Sequence, residues 1–202
     1  MRKNTGRSTP SASGRIRDLY REHAATAEAF FSDQSSAVEE VASAFVAALE
    51  SGRVLLFFGN GGSAADAQHL AAEFVNRFAV DRPALAALAL TTDTSVLTSI
   101  ANDSDFSRVF ARQIEAVGRP GDVAVGISTS GRSANILEGL RAARAKRLVT
   151  VGFVGGSDGA MRDLCDHLIR VPSTATARVQ EIHIVVGHIL CQIVDEIMFP
   201  GK

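Results

Sequence analysis

Five short apolar runs, each separated from the next by a helical segment, constrain the fold of this 202-residue chain more than any other feature. Runs that are apolar along their whole length are typical of strands buried on both faces, and the helices between them require parallel pairing. The sequence therefore predicts an α/β fold, a three-layer α/β/α sandwich around a five-stranded parallel sheet. The predicted strands cover residues 54–58, 85–90, 123–127, 148–154 and 167–171.

Helical periodicity predicts two extra helices before the first strand, over residues 15–31 and 38–49, and a long C-terminal helix over residues 175–198. These terminal helices are more apolar than a solvent-facing layer requires, so we expect them to pack between subunits as well as within one. No internal repeat is visible in the sequence, and residues 15–202 are predicted to form a single domain. Helices between the strands are predicted over residues 64–78, 94–100, 105–116, 134–145 and 160–164.

The charge of the chain argues against several classes of partner. The formal net charge is -1, from 21 basic and 22 acidic residues, so there is no general attraction for nucleic acid or for a membrane surface. Residues 1–14 hold three of the basic residues and no acidic one, which leaves 18 basic against 22 acidic residues, or -4, in residues 15–202. The Ser, Thr, Gly and Pro content of residues 1–14 predicts a disordered basic tail.

The cellular compartment is predicted from what the sequence does not contain. Cys165 and Cys191 are too few for a disulfide framework and belong to no CxxC pair. The longest apolar runs fall far short of the roughly 20 residues that a membrane-spanning helix needs, and the N-terminus lacks the apolar segment of a secretory signal. We therefore expect a cytoplasmic protein with no membrane partner.

Two polar loops each follow a predicted strand and precede a predicted helix, which is where parallel sheets bind ligands. The first reads GNGGS over residues 59–63, with Ser63 as the predicted helix N-cap, and the second reads GISTSGRS over residues 126–133. Backbone amides, hydroxyls and the positive end of a helix dipole suit a phosphate. Neither loop matches a P-loop or a dinucleotide pattern. Each loop alone is equally consistent with a tight turn, whereas the two together favour a monophosphate ligand.

The helix after the first loop carries ionisable side chains at helical spacing. His69 and Glu73 lie at i,i+4, and Asp66 lies one turn earlier on the same face. This spacing suits a metal ion, although a His-Glu pair on a helix is more often a surface hydrogen bond. The position of the helix, directly after the presumed ligand loop, strengthens the metal hypothesis.

The last predicted helix places polar side chains inside an apolar segment, where they need partners. Spacing alone does not identify which of them meets His69 and Glu73. Gln180 shares a face with His183 at i,i+3. Gln180 also shares a face with His188 through Ile184, at i,i+4,i+8. Gln180 and His188 are separated by about 12 Å of helix rise. That distance is more easily spanned if a neighbouring subunit supplies one of the two.

Three further features have simpler interpretations. Asn102-Asp103 forms a third polar site, predicted in a loop between helices, and an Asx turn or helix cap explains it equally well. Arg132 is expected in solvent. Cys165 and Cys191 are interpreted as small residues of the core.

Four separated segments together resemble the phosphoheptose isomerases of the sugar-isomerase (SIS) fold, a flavodoxin-like sandwich. The resemblance covers nearly everything after the basic tail, which is extra, and the segments occur in the expected order. They are GNGGSAADAQHLAAE at 59–73, ALTTDTSVLTSIANDSDF at 89–106, GDVAVGISTSGRSANIL at 121–137 and ARVQEIHIVVGHIL at 177–190.

This resemblance implies conversion of sedoheptulose 7-phosphate to D-glycero-D-manno-heptose 7-phosphate, the first step toward activated bacterial heptoses. It also implies a cytoplasmic homotetramer with active sites between subunits and one zinc ion per subunit. The implied zinc ligands are His69, Glu73, Gln180 and His188, and Asp66 takes the position of an active-site aspartate. The implied substrate contacts are Asn60, Gly61, Gly62, Ser63, Glu73, Asn102, Asp103, Ser128, Thr129, Ser130, Ser133 and Gln180.

The implied chemistry explains why such groups are useful. Aldose-ketose isomerisation moves a proton between C1 and C2 through an enediol, so it needs a base at carbon, an acid-base partner for oxygen and positive charge beside the oxyanion. Glu73 is the candidate base and His188 the second acid-base group. Zinc would polarise the carbonyl or orient the sugar, but zinc also weakens a bound carboxylate as a base.

Two alternatives come from other functional classes. One homologous branch is a tetrameric adaptor that binds the bacterial replication initiator, and it shares the C-terminal Phe199-Pro200. The presence of both Glu73 and His188 favours the enzyme over that adaptor. A sugar-phosphate-sensing SIS module would bind ligand without turnover and would not need the His, Glu, Gln, His set.

Overall fold

The structure, a computed structural model, describes residues 11–201. Its five strands form one sheet in the order β2-β1-β3-β4-β5, and every neighbouring pair is parallel. The five-stranded parallel sheet predicted from the apolar runs is therefore confirmed. The strands are β1 (Leu55–Gly59), β2 (Ala87–Ala89), β3 (Val123–Ser128), β4 (Val149–Val154) and β5 (His167–Arg170).

Helices cover both faces of the sheet, which confirms the three-layer sandwich. Along β1 the side chains alternate: Leu55 and Phe57 pack into the apolar core beneath one helix layer, whereas Leu56 and Phe58 pack into the core beneath the other. One layer contains α1 (Ala12–Glu50), α2 (Gly62–Val75) and α6 (Thr176–Met198). The opposite layer contains α3 (Thr94–Asp103), α4 (Val109–Val117) and α5 (Ala134–Ala145).

The N-terminal region is one helix rather than the two that were predicted. Helix α1 runs without a break through the polar segment SDQSS at residues 32–36. That segment contains neither Pro nor Gly, and the Ser35 hydroxyl donates to the Phe31 carbonyl at 2.6 Å, which a helix tolerates. Burial begins only at Phe30, so the first half of α1 extends beyond the core with Ile16 and Tyr20 67% and 68% exposed.

One predicted helix is partly, and another wholly, a 3-10 turn. Residues 105–116 divide into the 3-10 turn Phe106–Arg108 and helix α4, because the Asp105 carboxylate accepts from the Ser107 amide at 2.7 Å and tightens the chain there. The segment predicted as a helix over residues 160–164 is the 3-10 turn Gly159–Leu164. The long C-terminal helix is confirmed as α6.

The predicted tail lies mainly outside the described residues. Helix α1 begins at Ala12, after Ser11 accepts a hydrogen bond from the Gly14 amide at 3.2 Å, so residues 12–14 are helical. The disorder predicted for residues 1–10 stays a prediction. Among residues 11–201, no helix combines the length and the apolar character needed to cross a membrane.

Candidate active site

The two polar loops lie side by side where the sheet changes direction. Strands β1 and β3 are neighbours, and the chain turns from β1 toward one edge of the sheet and from β3 toward the other. Such a switch point opens a crevice at the carboxyl ends of the strands. A pocket of about 270 Å³ occurs there, lined by Asn60, Gly61, Gly62, Ser63, Ile127, Ser128, Thr129, Ser133, Thr176 and Gln180.

The first loop owes its path to glycine. A Cβ at Gly59 would lie 2.5 Å from the Ser63 carbonyl oxygen, and Gly61 has a φ of +56°, which other residues rarely adopt. The predicted N-cap is wrong: Gly61 caps α2, and Ser63 lies buried in the first turn. The helix begins earlier because Gly61 can take the φ that turns the chain into it.

The second loop presents hydroxyls to the same pocket. Ser128 and Ser133 lie 3.3 Å apart through their Oγ atoms, and Ser133 is the N-cap residue of α5. Ser130 is exposed and does not line the pocket, because its hydroxyl turns back to accept from the Arg132 amide at 3.3 Å. Its predicted contact with substrate stays a prediction.

Three helix N-termini converge on this pocket. Its lining residues include Gly62 at the start of α2, Ser133 directly before α5 and Thr176 at the start of α6. Helix N-termini carry unpaired amides and partial positive charge. No lysine or arginine appears among the lining residues. The pocket therefore offers amides and hydroxyls to an anion without a basic side chain.

A second polar cluster lies further along α2 and α6. His69 Nε2 lies 2.9 Å from His188 Nε2 and 3.5 Å from Glu73 Oε1. The structure thus answers what spacing left open, because it brings His188 to His69. His183 instead lies in the core against Phe153, with its Nε2 donating to the Val154 carbonyl at 3.2 Å. Burial lowers the pKa of His183 to about 4.

Two neighbours shape this cluster. The ring of Phe78 stacks on His188, with 5.5 Å between ring centroids. The Asp66 carboxylate lies one turn before His69 and has an Oδ2 that no protein atom hydrogen-bonds. Burial raises the pKa of Asp66 from 3.8 to about 6, and the electrostatic attraction of His69 opposes that rise. At pH 6 a larger fraction of the Asp66 carboxyl is therefore protonated than of an ordinary aspartate.

The distance between the pocket and the cluster is set by the packing of α2 against α6. The two helices approach closely at Gly187, where a Cβ would lie 2.5 Å from Leu70 Cδ2. Near the start of both helices Gly62 faces Gln180, and two turns further along α2 His69 faces His188. Seven residues separate Gly62 from His69, which is about 10 Å of helix rise.

The sequence matches the model of the SIS domain over residues 19–155. It is 58% identical over 181 residues to the phosphoheptose isomerase of Desulfovibrio desulfuricans, covering 90% of this chain and 86% of that protein. The chain belongs to the phosphoheptose isomerase family. Phosphoheptose isomerase 2 of Campylobacter jejuni is 55% identical over 157 residues, with 78% of each chain covered.

Solved structures of phosphoheptose isomerases share the whole fold. The Neisseria gonorrhoeae protein matches with a TM-score of 0.86 at 38% identity, covering 92% of this chain and all of that one. The Francisella tularensis protein gives a TM-score of 0.89 at 34% identity, over 93% and 100% of the two chains.

Within this chain, most of the predicted site residues gather at the two clusters. Asn102 and Asp103 do not line the pocket; they end helix α3 instead of lying in a loop, and the Asn102 amide donates to the Asp103 carboxylate at 2.8 Å. Sequence reasoning missed Thr176 and Asn135. Thr176 opens the last helix, so a third helix start beside the two loops was the available signal. Asn135 exchanges two 2.8 Å amide hydrogen bonds with Asn60.

Proposed function

We propose that this protein is an aldose-ketose isomerase that converts sedoheptulose 7-phosphate into D-glycero-D-manno-heptose 7-phosphate. The observation that carries the proposal is the arrangement of an anion pocket at Gly62 and an acid-base cluster that begins at His69, about 10 Å further along α2, with Glu73 one turn beyond His69. An extended seven-carbon sugar phosphate spans that distance between its phosphate and its C1-C2 end. The names of the relatives point to the same substrate class.

The phosphate is held by neutral groups. Amides at the starts of α2 and α5, together with the hydroxyls of Ser128, Thr129 and Ser133, surround the pocket. Binding the phosphate positions the rest of the sugar against the second cluster, and positioning of this kind lowers the barrier to a reaction at the far end.

The second cluster supplies the proton transfers. Glu73 Oε removes a proton from C1 of the ketose, the electrons form the C1-C2 enediol, and the same carboxylate returns a proton to C2. His188 transfers the proton between the two oxygens. The Glu73 side chain is 24% exposed, so its carboxylate is half-buried but still within reach of a ligand. Asp66 supports His69 from the preceding turn by its negative charge.

The donor set suits zinc. Two imidazole nitrogens and a carboxylate oxygen converge, and these are ligands that Zn²⁺ prefers. The described residues contain no group of three His, Cys, Asp or Glu side chains already in metal geometry. Both Nε2 atoms, 2.9 Å apart, would bind zinc, and an imidazole nitrogen on zinc no longer transfers a proton, so the ligand and acid-base roles of His188 compete. When bound, zinc would polarise the sugar carbonyl as a Lewis acid.

We propose Gln180 as the fourth ligand. It lies about 12 Å before His188 along α6, a distance more easily spanned if the two residues come from different subunits. That arrangement agrees with a homotetramer whose active sites lie between subunits. Exposed apolar side chains on the terminal helices support such an assembly: Ile16 is 67% exposed, Tyr20 68% and Ile197 53%. We also propose a cytoplasmic location, in agreement with the free cysteines Cys165 and Cys191.

The test is turnover. The full chain is incubated with sedoheptulose 7-phosphate, with and without a chelator and with zinc added back, and the aldose product is followed by NMR. We expect aldose to form, formation to stop with chelator and to resume with zinc. Absence of aldose in the zinc-replenished sample would refute the isomerase. Full turnover in chelator would refute the zinc requirement alone.

A further inference from the structure

A buried ion pair lies behind the acid-base cluster, outside the pocket. The Arg82 Nε donates to Asp195 Oδ1 at 2.5 Å, and the side chains are 0% and 1% exposed. Asp195 Oδ2 accepts from the Ala79 amide at 3.1 Å. The pair therefore ties the segment between α2 and β2 to helix α6.

The remaining donors of Arg82 close the end of α2. Nη2 donates to the carbonyl of Glu73 at 2.9 Å, and Nη1 donates to the carbonyl of Phe74 at 2.9 Å. The last carbonyls of a helix have no partner within the helix, and a positive charge is favourable there. The guanidinium thus holds the backbone of the residue whose carboxylate is the proposed base.

The other half of the pair is connected to His188 through the segment that follows α2. Asp195 lies seven residues after His188, two turns along the same face of α6. The segment that Asp195 holds through Ala79 also carries Phe78, the residue stacked on the His188 ring. One ion pair therefore contacts both the Glu73 backbone and the amide next to Phe78, whose ring packs against His188.

Stability alone gives a weak reason for such a pair. Replacing a buried ion pair by apolar side chains of similar volume is often neutral or stabilising, because two charges no longer need to be dehydrated. What an apolar pair cannot reproduce is the planar fork of a guanidinium, which points several donors in fixed directions. Here those directions lead to Asp195, to Glu73 and to Phe74.

We propose that Arg82 and Asp195 are positioning residues of the isomerase, which set the placement of Glu73 relative to His188. The proposal rests on the function proposed above. Neither residue lines the phosphate pocket, so losing the pair should lower kcat and leave KM nearly unchanged.

The decisive variant is the double substitution Arg82→Met/Asp195→Leu, which removes both charges and keeps an apolar filling. We expect kcat per folded protein to fall between about 10-fold and about 100-fold, the range for a misplaced catalytic group, with KM within about twofold of wild type. The imidazole C-H signals of His188, assigned with His188→Gln, should also shift, since the ring-current effect of Phe78 changes. The single variant Asp195→Asn, nearly isosteric, should show the same trend if the double variant does not fold.

Asp122→Asn is the matched control. Asp122 is 2% exposed and accepts from the Val54 and Arg119 amides at 3.0 and 2.7 Å, at the opposite end of the sheet. It should lower thermal stability without changing kcat per folded protein. The proposal would be overturned if the pair variants kept the wild-type kcat per folded protein and the wild-type His188 signal. It would also be overturned if Asp122→Asn changed kcat and the His188 signal as much as the pair variants do. If wild type fails to isomerise the sugar, the proposed function is refuted, while the His188 signal still decides the positioning role.

Discussion

Replacing Gly62 with alanine should displace Gln180 without unfolding the chain. A Cβ at Gly62 would lie 2.5 Å from Gln180 Nε2, and ordinary contact begins at 3.4 Å, so the amide must move by about 0.9 Å. The atom that moves is the end of a flexible side chain, and alanine favours a helix over glycine by about 1 kcal/mol in a helix interior and by less at the first residue of α2, where Gly62 lies. Stability should therefore stay unchanged or rise slightly. A 1 Å displacement of a positioned group costs up to about 100-fold in rate, so kcat/KM should fall between about 10-fold and about 100-fold, or about 1.4 to 2.8 kcal/mol.

The assay measures kcat/KM and the thermal midpoint of Gly62→Ala beside those of Gly52→Ala. Gly52 follows helix α1 with a φ of +67° and has open space around it, so alanine there strains only the backbone, by about 1 to 2 kcal/mol. We expect the reverse pattern in this control: lower stability with unchanged kcat/KM. If Gln180→Ala lowers kcat/KM but Gly62→Ala keeps the wild-type value, the position of Gln180 in this structure is not the position that catalysis requires.

Three further predictions concern the two clusters and Asp66. Glu73→Gln should abolish exchange of solvent protons into the sugar while phosphate binding stays largely intact; retained turnover would exclude Glu73 as the base. Ser133→Ala and Ser130→Ala should mainly raise KM, with the larger effect at Ser133 because it lines the pocket, and an unchanged KM in both would place the phosphate elsewhere. The folded state binds the Asp66 proton more tightly than the unfolded state, with a pKa of about 6 against 3.8, so this carboxyl makes stability fall as pH rises between those values. Asp66→Asn should therefore raise the thermal midpoint at pH 8 relative to wild type and have little effect at pH 3; an equal midpoint at pH 8 would contradict the burial argument.

The parallel sheet was predictable because each central strand is apolar throughout. Such a strand must be buried on both faces, as it is in a parallel sheet between two helix layers. The helix count at the N-terminus was not. The apolar periods around Leu19 and Phe45 are both helical, and the polar residues 32–36 between them gave an apparent boundary. Polarity alone does not end a helix; a residue that breaks the hydrogen-bond ladder is needed, and none is present there.

The pocket was predictable in part, because both loops follow neighbouring strands of a parallel sheet. Which residue of α6 meets His69 was not predictable from spacing, since Gln180 is at helical spacing to both His183 and His188. The choice depends on the orientation of α6 about its own axis. That orientation is set by contacts between residues distant in sequence, such as the packing of Gly187 against Leu70. Arg82 was missed for the same reason: its partner Asp195 lies 113 positions away.

The packing of α2 against α6 connects these observations. The interface places Gly62 beside Gln180 and His69 beside His188, so one helix pair fixes both ends of the site. Phosphate binding then depends on amides at helix starts, whose direction follows the helix axes, and proton transfer depends on side chains two turns further along the same axes. A chain whose residues 15–202 carry more acidic than basic side chains can bind a phosphate dianion by this means. The bound anion contacts oriented dipoles at short range. The acidic side chains of the surface lie further away, where salt screens their repulsion.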